Sequence, residues 1–436
     1  MELFELGCVF FSNDLRVNDN LCLTSAARQC KTLVCAYLEA EDDLNQRYGI
    51  NESELRKQFR SQSLSALNTE LKRFGQHIDR VIVKSTLEIR SFIDEINPNV
   101  IYRSWEPKQS LDDYWEAIIE RYPEIDFQEK FSSTLFEESQ LPFEEHQFPT
   151  TFSKFRRSVE HLAIQHPTGR PTSLPPPLNR AKTWQKEVKS ANKSLFIGGE
   201  LEGVKHLDDY FMGEHASSYK QTRNALDGWK NSTKFSIWLS NGCLSARQIF
   251  DCLKKYERNT GANESTYWIY FELLWREYFQ WYAKIHPMTL TKFSGTLNRS
   301  PMTFFNPQRF KKWCSANTPF PIVNACMSQL NAEAYMSNRG RQIVASCLVN
   351  ELSLDWRYGA AYFAQNLIDY DFASNWGNWQ YIAGVGADPR GGRHFNLSKQ
   401  TAIYDPHGTF IERWQGEKCD QELDATDIVD WPIAHR

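Results

Sequence analysis

No apolar run in the 436-residue chain is long enough to cross a bilayer. The opening MELFELGCVFF lacks the basic stretch of a secretory leader. A membrane span and an export signal are therefore not expected, and a cytoplasmic protein is. The ten cysteines form no CxxC pair and no Cys/His spacing of a metal site. Reduced, mostly buried thiols are expected, without metal or iron–sulfur ligation. GxGxxG is also missing, which argues against a Rossmann dinucleotide site. The net charge of −4 gives no global basic signature for nucleic acid. Binding to one would rest on where the Lys and Arg lie. A composition of 41% hydrophobic and 24% charged residues excludes global disorder.

What is present falls into two halves. CVFF (8–11), LVCAYL (33–38), VIVK (81–84) and VIYR (100–103) are short β-rich runs. Helical patterns such as 54–75 separate them. This alternation predicts a doubly wound parallel sheet with ligands at the carboxyl ends of its strands. The sheet signal fades after about residue 130. A Pro-, Ser- and Lys-rich stretch, including PTGRPTSLPPPLNR (167–180), reads as an exposed connection. Beyond about 205 the pattern is nearly all helical, with long amphipathic helices expected over 268–285 and 338–356. The fold class is an N-terminal α/β domain (1–130), a linker (131–204) and an all-α C-terminal domain (205–436). The default oligomeric state is a monomer.

Four segments of the helical half carry chemistry. In NRGRQIV, Asn338, Arg341 and Gln342 share one helix face beside Ile343 and Val344. A guanidinium and an amide on a buried helix need partners. In LIDYDFASNWGNWQY, Asp369, Asp371 and Asn375 stand close together among aromatics. Two carboxylates there need Arg or N–H donors, and Arg341 is available to Asp369. In FELLWREYF, Glu272, Trp275 and Arg276 put an acid, a flat ring and a cation on one face. Such a face suits a base or a flavin, and equally an internal ion pair beside a buried Trp. Tyr219 and STKFSIWLSNGCLS, with Ser232, Thr233, Lys234 and Ser236, offer hydroxyl, ammonium and N–H donors to phosphate. They are equally ordinary helix caps.

In order along the chain, YxxTRN, STKFSxWLSxGCLS, ELxWRxYF, NRGRQxxAS, DWRxGAxYF and LxDYDxxSNWGNWQYxAGVGxDPR resemble the photolyase/cryptochrome superfamily. Gln342, the SNWGNWQY run and FPTTFSKFRRSVE (148–160) resemble its DASH branch. Asn13-Asp14-Leu15-Arg16 and Asp19 stand where that family has its DLRxxD motif. The match covers nearly the whole chain.

The resemblance implies an FAD-binding helical domain and blue-light chemistry. Tyr219, Ser232, Thr233, Lys234 and Ser236 are expected at the FAD phosphates and neighbouring atoms, with Arg276 and Asn338 near the cofactor. Arg341 and Asp369 are expected to pair beside the isoalloxazine, with Asp371 at its polar edge and Asn375 facing N5. The implied reaction is repair of cyclobutane pyrimidine dimers in DNA, preferentially single-stranded. An electron passes from excited reduced flavin to the dimer and returns after the ring splits. Glu272 would hydrogen-bond the flipped bases and Trp275 would stack on them. The 6-4 class uses a His just upstream of the NR motif, where this chain has Tyr335-Met336-Ser337. Trp379 and Trp356 match the inner and middle tryptophans of the family's photoreduction chain. The third position is Thr303 here, followed by Phe304 and Phe305, which leaves Trp313, a tyrosine or a truncated chain. Glu106 matches a carboxylate that holds 5,10-methenyltetrahydrofolate in DASH relatives, with an empty site or a deazaflavin as alternatives. Two other functions remain open at this point: a light sensor that signals through a partner, and an electron-transfer flavoprotein with no DNA role.

Overall fold

The computed structural model describes residues 3–40, 52–107, 112–179, 194–387, 391–419 and 423. Five parallel strands form one sheet, β1 (Phe4–Phe11), β2 (Cys30–Ala40), β3 (Ile78–Val83), β4 (Val100–Ser104) and β5 (Asp126–Lys130). Their order is β3-β2-β1-β4-β5, so the chain winds outward on one side of β1 and then restarts on the other. Such a sheet has its topological switch point between β1 and β4. The alternation of apolar runs with helices is borne out, and the helices α1 (Leu21–Gln29), α2 (Glu54–Lys72), α3 (Thr86–Ile96) and α4 (Asp112–Arg121) connect successive strands.

Local chemistry sets these boundaries. Asn20 accepts the Leu23 N–H and starts α1. Ser85 and Glu88 form a reciprocal capping box at the head of α3. Asn97, at φ 46°, takes the left-handed conformation that stops α3. Within α3, Ile89, Phe92, Ile93 and Ile96 recur at helical spacing and are buried against Cys8, Phe10, Val34 and Ile101 of the strands. The inner strands are buried on both faces, as a covered parallel sheet requires. β5, with the sequence DFQEK, is a charged edge strand with no apolar signature, and sequence reading passes over it.

The chain divides into two compact units. The first comprises Met1–Thr222, Thr233–Pro287 and Ile368–Asn375 and contains the sheet together with the helices Glu200–Met212, Ala246–Thr260 and Glu264–Ile285. The second comprises Arg223–Ser232, Met288–Leu367 and Trp376–Arg436 and is mostly helical. No helix among the described residues is long and apolar enough to cross a membrane, and none of their His, Cys, Asp or Glu groups could hold a metal ion.

One expected helix is broken. The segment 338–356 runs as an α-helix only over Asn338–Ser346, then widens into a π-helical turn over Cys347–Glu351. Leu352 N–H there reaches back to the Cys347 carbonyl at 3.0 Å. The chain then leaves the helix, and Asp355 starts the next one (Trp356–Asn366) by accepting the Arg357 N–H at 2.9 Å. An aspartate one residue before Trp356 is the cap signal that the long apolar periodicity conceals.

Candidate functional site

In the first unit a fully buried charge cluster follows β1. Arg16 donates to the carbonyls of Gly242, Asp19 and Ser132 at 2.9, 2.8 and 2.8 Å. Asp19, at 0% exposure, pairs with Arg247 at 3.1 Å. Glu200 accepts the Val17 and Asn18 N–H groups at 2.8 and 3.1 Å. Burial raises the Asp14 and Glu200 carboxyls above their ordinary range, against their N–H donors and Arg16. The Asn13–Asp19 motif is therefore structural cement between the first strand and the helices that begin near residues 200 and 246. Arg247 and Glu200 carry no sequence signal of their own, because only tertiary pairing gives them a role.

The carboxyl ends of β1 and β4 meet at the switch point. Glu106, half-buried just beyond β4, accepts the Asn13 N–H at 2.6 Å.

In the same unit Thr233 and Lys234 lead into the short helix Ser236–Leu239, which Ser236 opens. Lys234 is 8% exposed and adopts φ 52°, a strained conformation for a residue with a β-carbon. His206 meets the Thr233 carbonyl at 2.8 Å through Nε2. Burial lowers the His206 pKa from its ordinary value, so the ring is a neutral donor. Ser236 Oγ donates to the buried Asp369 carboxylate at 2.6 Å. Two residues on, Asp371 caps the helix Phe372–Ala383 by accepting the Ser374 N–H at 2.7 Å, and its other oxygen accepts from Gln280 at 2.9 Å. Asn375, 9% exposed, sits one turn into that helix. The segment 233–236 and the acidic run 369–375 thus meet through the Ser236–Asp369 bond. Tyr219 is buried on its own short helix in this unit.

The helix Glu264–Ile285 carries the third segment. Its capping box joins Asn263 and Thr266. Glu272, Trp275 and Arg276 are half-buried on it. Arg276 donates to the Ser133 carbonyl, beyond β5. The next residue, Glu277, is fully buried and accepts the N–H groups of Leu135 and Phe136 at 2.7 and 3.2 Å and the Trp281 indole N–H at 2.7 Å. Desolvation raises its pKa against those three donors. Trp275 lies face to face with Phe152, ring centroids 3.8 Å apart and planes at 12°. Phe152 opens the helix Phe152–Val159, inside the FPTTFSKFRR run. The run is singled out in the sequence by its DASH resemblance; the stacking of Phe152 on Trp275 is not legible there.

In the second unit Ser337 caps the helix Asn338–Ser346 by accepting the Gly340 N–H at 3.1 Å. Asn338 is exposed, and Ser232 is half-buried. Arg341 donates Nε to the Met336 carbonyl at 2.9 Å and lies over the Tyr335 ring at 5.8 Å. Trp356 is completely buried, donates to the Phe293 carbonyl at 3.0 Å and meets Trp376 edge-on at 5.7 Å. Trp379, 2% exposed, packs edge-on to Phe363 at 5.2 Å and Trp313 at 6.3 Å. Gly359 makes room for it, since a β-carbon there would fall 2.2 Å from the Trp379 ring.

Chemically, these segments offer hydroxyls and a buried ammonium at 232–236, and carboxylates and amides at 369–375. They also offer a half-buried acid beside a flat ring at 272–275. The first set suits a pyrophosphate. The second suits the hydrogen-bonding edge of a flavin.

Comparison with known proteins agrees in class. Residues 8–177 match the model of DNA photolyase, and residues 268–431 match the FAD binding domain of DNA photolyase. The cryptochrome DASH of Idiomarina loihiensis is 50% identical over 99% of this chain and 97% of its own length. That of Vibrio parahaemolyticus is 46% identical over 98% and 97%. Among solved structures, a Synechocystis cryptochrome superposes with a TM-score of 0.87 at 34% identity, covering 95% of this chain and 89% of that one.

Proposed function

Since the chain belongs to the DNA photolyase/cryptochrome family, among its DASH cryptochromes, we propose that it is a light-driven deoxyribodipyrimidine lyase acting on cyclobutane pyrimidine dimers, preferentially in single-stranded DNA. The observation that carries repair over signalling is the Glu272–Trp275 pair. An acid and an indole one helical turn apart, both half-buried, supply a hydrogen-bonding edge and a stacking face for extruded pyrimidines. Phe152, stacked on one face of Trp275, fixes the plane of the indole.

The donor set fits FAD. Tyr219, Ser232, Thr233, Lys234 and Ser236 are assigned to the phosphates and neighbouring atoms. Arg341, Asp369, Asp371 and Asn375 are assigned to the isoalloxazine, and Arg276 and Asn338 to its surroundings. When bound, FAD supplies light absorption and the electron that opens the dimer. The residues bind and orient. Ser236 and Gln280 hold the two carboxylates of the acidic run in fixed positions, so little reorganisation accompanies charge movement. The helical region 205–436 is then the FAD-binding domain and 1–130 the antenna domain. Glu106, at the switch point beside Asn13, is the acceptor proposed for 5,10-methenyltetrahydrofolate. A cytoplasmic monomer is the proposed working form.

The test uses reduced, flavin-loaded protein, dimer-containing oligo(dT) and blue light. Thymine absorbance is expected to recover in single strands, and to recover at least about tenfold more slowly in Glu272→Gln, the change that about 1.4 kcal/mol of lost transition-state stabilisation produces. No recovery on single or double strands would put the signalling reading ahead.

A further inference from the structure

Trp379 does not end its ring contacts at Trp313. Trp313 is 0% exposed and meets Tyr362 edge-on, with centroids 5.6 Å apart. The Tyr362 hydroxyl shares its single proton between Asn331 Oδ1 at 2.7 Å and the Cys314 carbonyl at 3.1 Å, and Asn331 is an exposed residue. Three oxidisable rings therefore run from a buried indole to a half-buried phenol whose hydroxyl reaches the exposed Asn331, each step within ordinary ring-contact range. All three belong to the second compact unit.

We propose that Trp379, Trp313 and Tyr362 form a hole-transfer path that bypasses Trp356 and takes the place of both the middle and the third tryptophan, with Tyr362 as its exit. This rests on the reading that the chain binds FAD and that Trp379 is the first donor to it. The balance is one electron per step. With FAD bound, Trp379 would be the residue that supplies one electron to the light-excited oxidised flavin. Trp313 gives one electron to oxidised Trp379, and Tyr362 then gives one to oxidised Trp313. Tyr362 at the same time releases its phenolic proton to water at the Asn331 edge, leaving a neutral tyrosyl radical. A soluble thiol returns one electron and one proton to that radical.

The geometry explains the direction. The Trp313 indole N–H is tied to the Val344 carbonyl at 3.1 Å, and the ring is 0% exposed, so its proton is held by a carbonyl that cannot take it. Oxidised Trp313 therefore stays a cation and passes its deficit on. Proton release at Tyr362 traps the charge at the edge. Among the described residues Tyr358, 38% exposed, connects to Trp313 through Phe310, at 6.1 and then 5.7 Å, and a phenylalanine ring is too hard to oxidise to relay. At position 303 stands a threonine, and Phe304 and Phe305 follow. Trp356 has Trp376 as its ring neighbour, and the two are 0% and 1% exposed, so neither is an exit.

The experiment compares the flavin-loaded wild type with Trp313→Phe, Tyr362→Phe, Tyr358→Phe, Trp356→Phe and Trp379→Phe, after flavin content is measured by absorption. Photoreduction under continuous blue light with a thiol is expected to slow about tenfold in Trp313→Phe. The tyrosyl radical signal in paramagnetic resonance after a flash is expected in the wild type, lost in Tyr362→Phe and kept in Tyr358→Phe. Tyr362→Phe, a change at the protein edge, keeps the test valid if Trp313→Phe folds badly. Wild-type rates in Trp313→Phe with complete loss in Trp356→Phe would overturn the path. Loss of the radical in Tyr358→Phe would overturn the exit. A protein that takes up no flavin, or a Trp379→Phe variant that photoreduces normally, overturns the reading beneath it and this proposal with it.

Discussion

Single side chains decide much of the stability, and the decisive ones are buried charges. Removing Arg247 strands Asp19 in a site with 0% exposure. Arg247→Met is expected to cost about 3–5 kcal/mol in urea unfolding, the penalty for an uncompensated buried charge. Glu277→Gln keeps the shape but turns an amide N–H₂ toward backbone N–H groups, and is expected to cost about 1–3 kcal/mol by the same measurement. His206 gives a pH signature. Its folded pKa lies below the unfolded value of about 6.5. The unfolded chain therefore binds more protons between the two values, and stability falls as pH drops through that window. His206→Gln is expected to flatten the dependence of unfolding free energy on pH below about 6.5, measured at fixed salt. The residues legible in advance were those inside compact motifs, such as Asp369, Asp371 and Lys234. Glu200, Arg247 and Glu277 were not, because a lone charged residue in a helix reads as solvated until its distant partner is known.

Whole elements repeat the lesson in backbone terms. The strands β1, β2 and β4 announce themselves through apolar, β-branched runs that parallel burial on two faces demands. β5 does not, since an edge strand needs only one neighbour and tolerates charge. The break after Ser346 was hidden because the apolar spacing continues across it, while the helix actually ends in a π-turn and restarts at the Asp355 cap. Gly359, on the restarted helix, is the point where that geometry meets the tryptophans. Gly359→Ala is expected to cost about 1–3 kcal/mol by overpacking. It should also displace the Trp379 ring, which tryptophan fluorescence would register as an altered emission maximum relative to the wild type.

At the scale of the molecule, a ligand held by many segments stabilises the fold by mass action. Stripping FAD is expected to lower the thermal midpoint, and re-addition at about a hundred times the dissociation constant to restore about 2.7 kcal/mol. With a net charge of −4, any DNA affinity must come from local cations, so binding to oligo(dT) should weaken steeply between low and physiological salt. The fold class was readable because strand–helix alternation followed by helix alone allows few arrangements.

The Asp19–Arg247 pair spans 228 residues of sequence. A ribosome adding about 5–20 residues per second needs tens of seconds between the two. Until then the Asp19 carboxylate lacks its Arg247 partner and has only Arg16 of the same loop to offset its charge. Slowing translation just before codon 247 should therefore lengthen protease sensitivity of the N-terminal segment on stalled chains, and a synonymous pause after it should not.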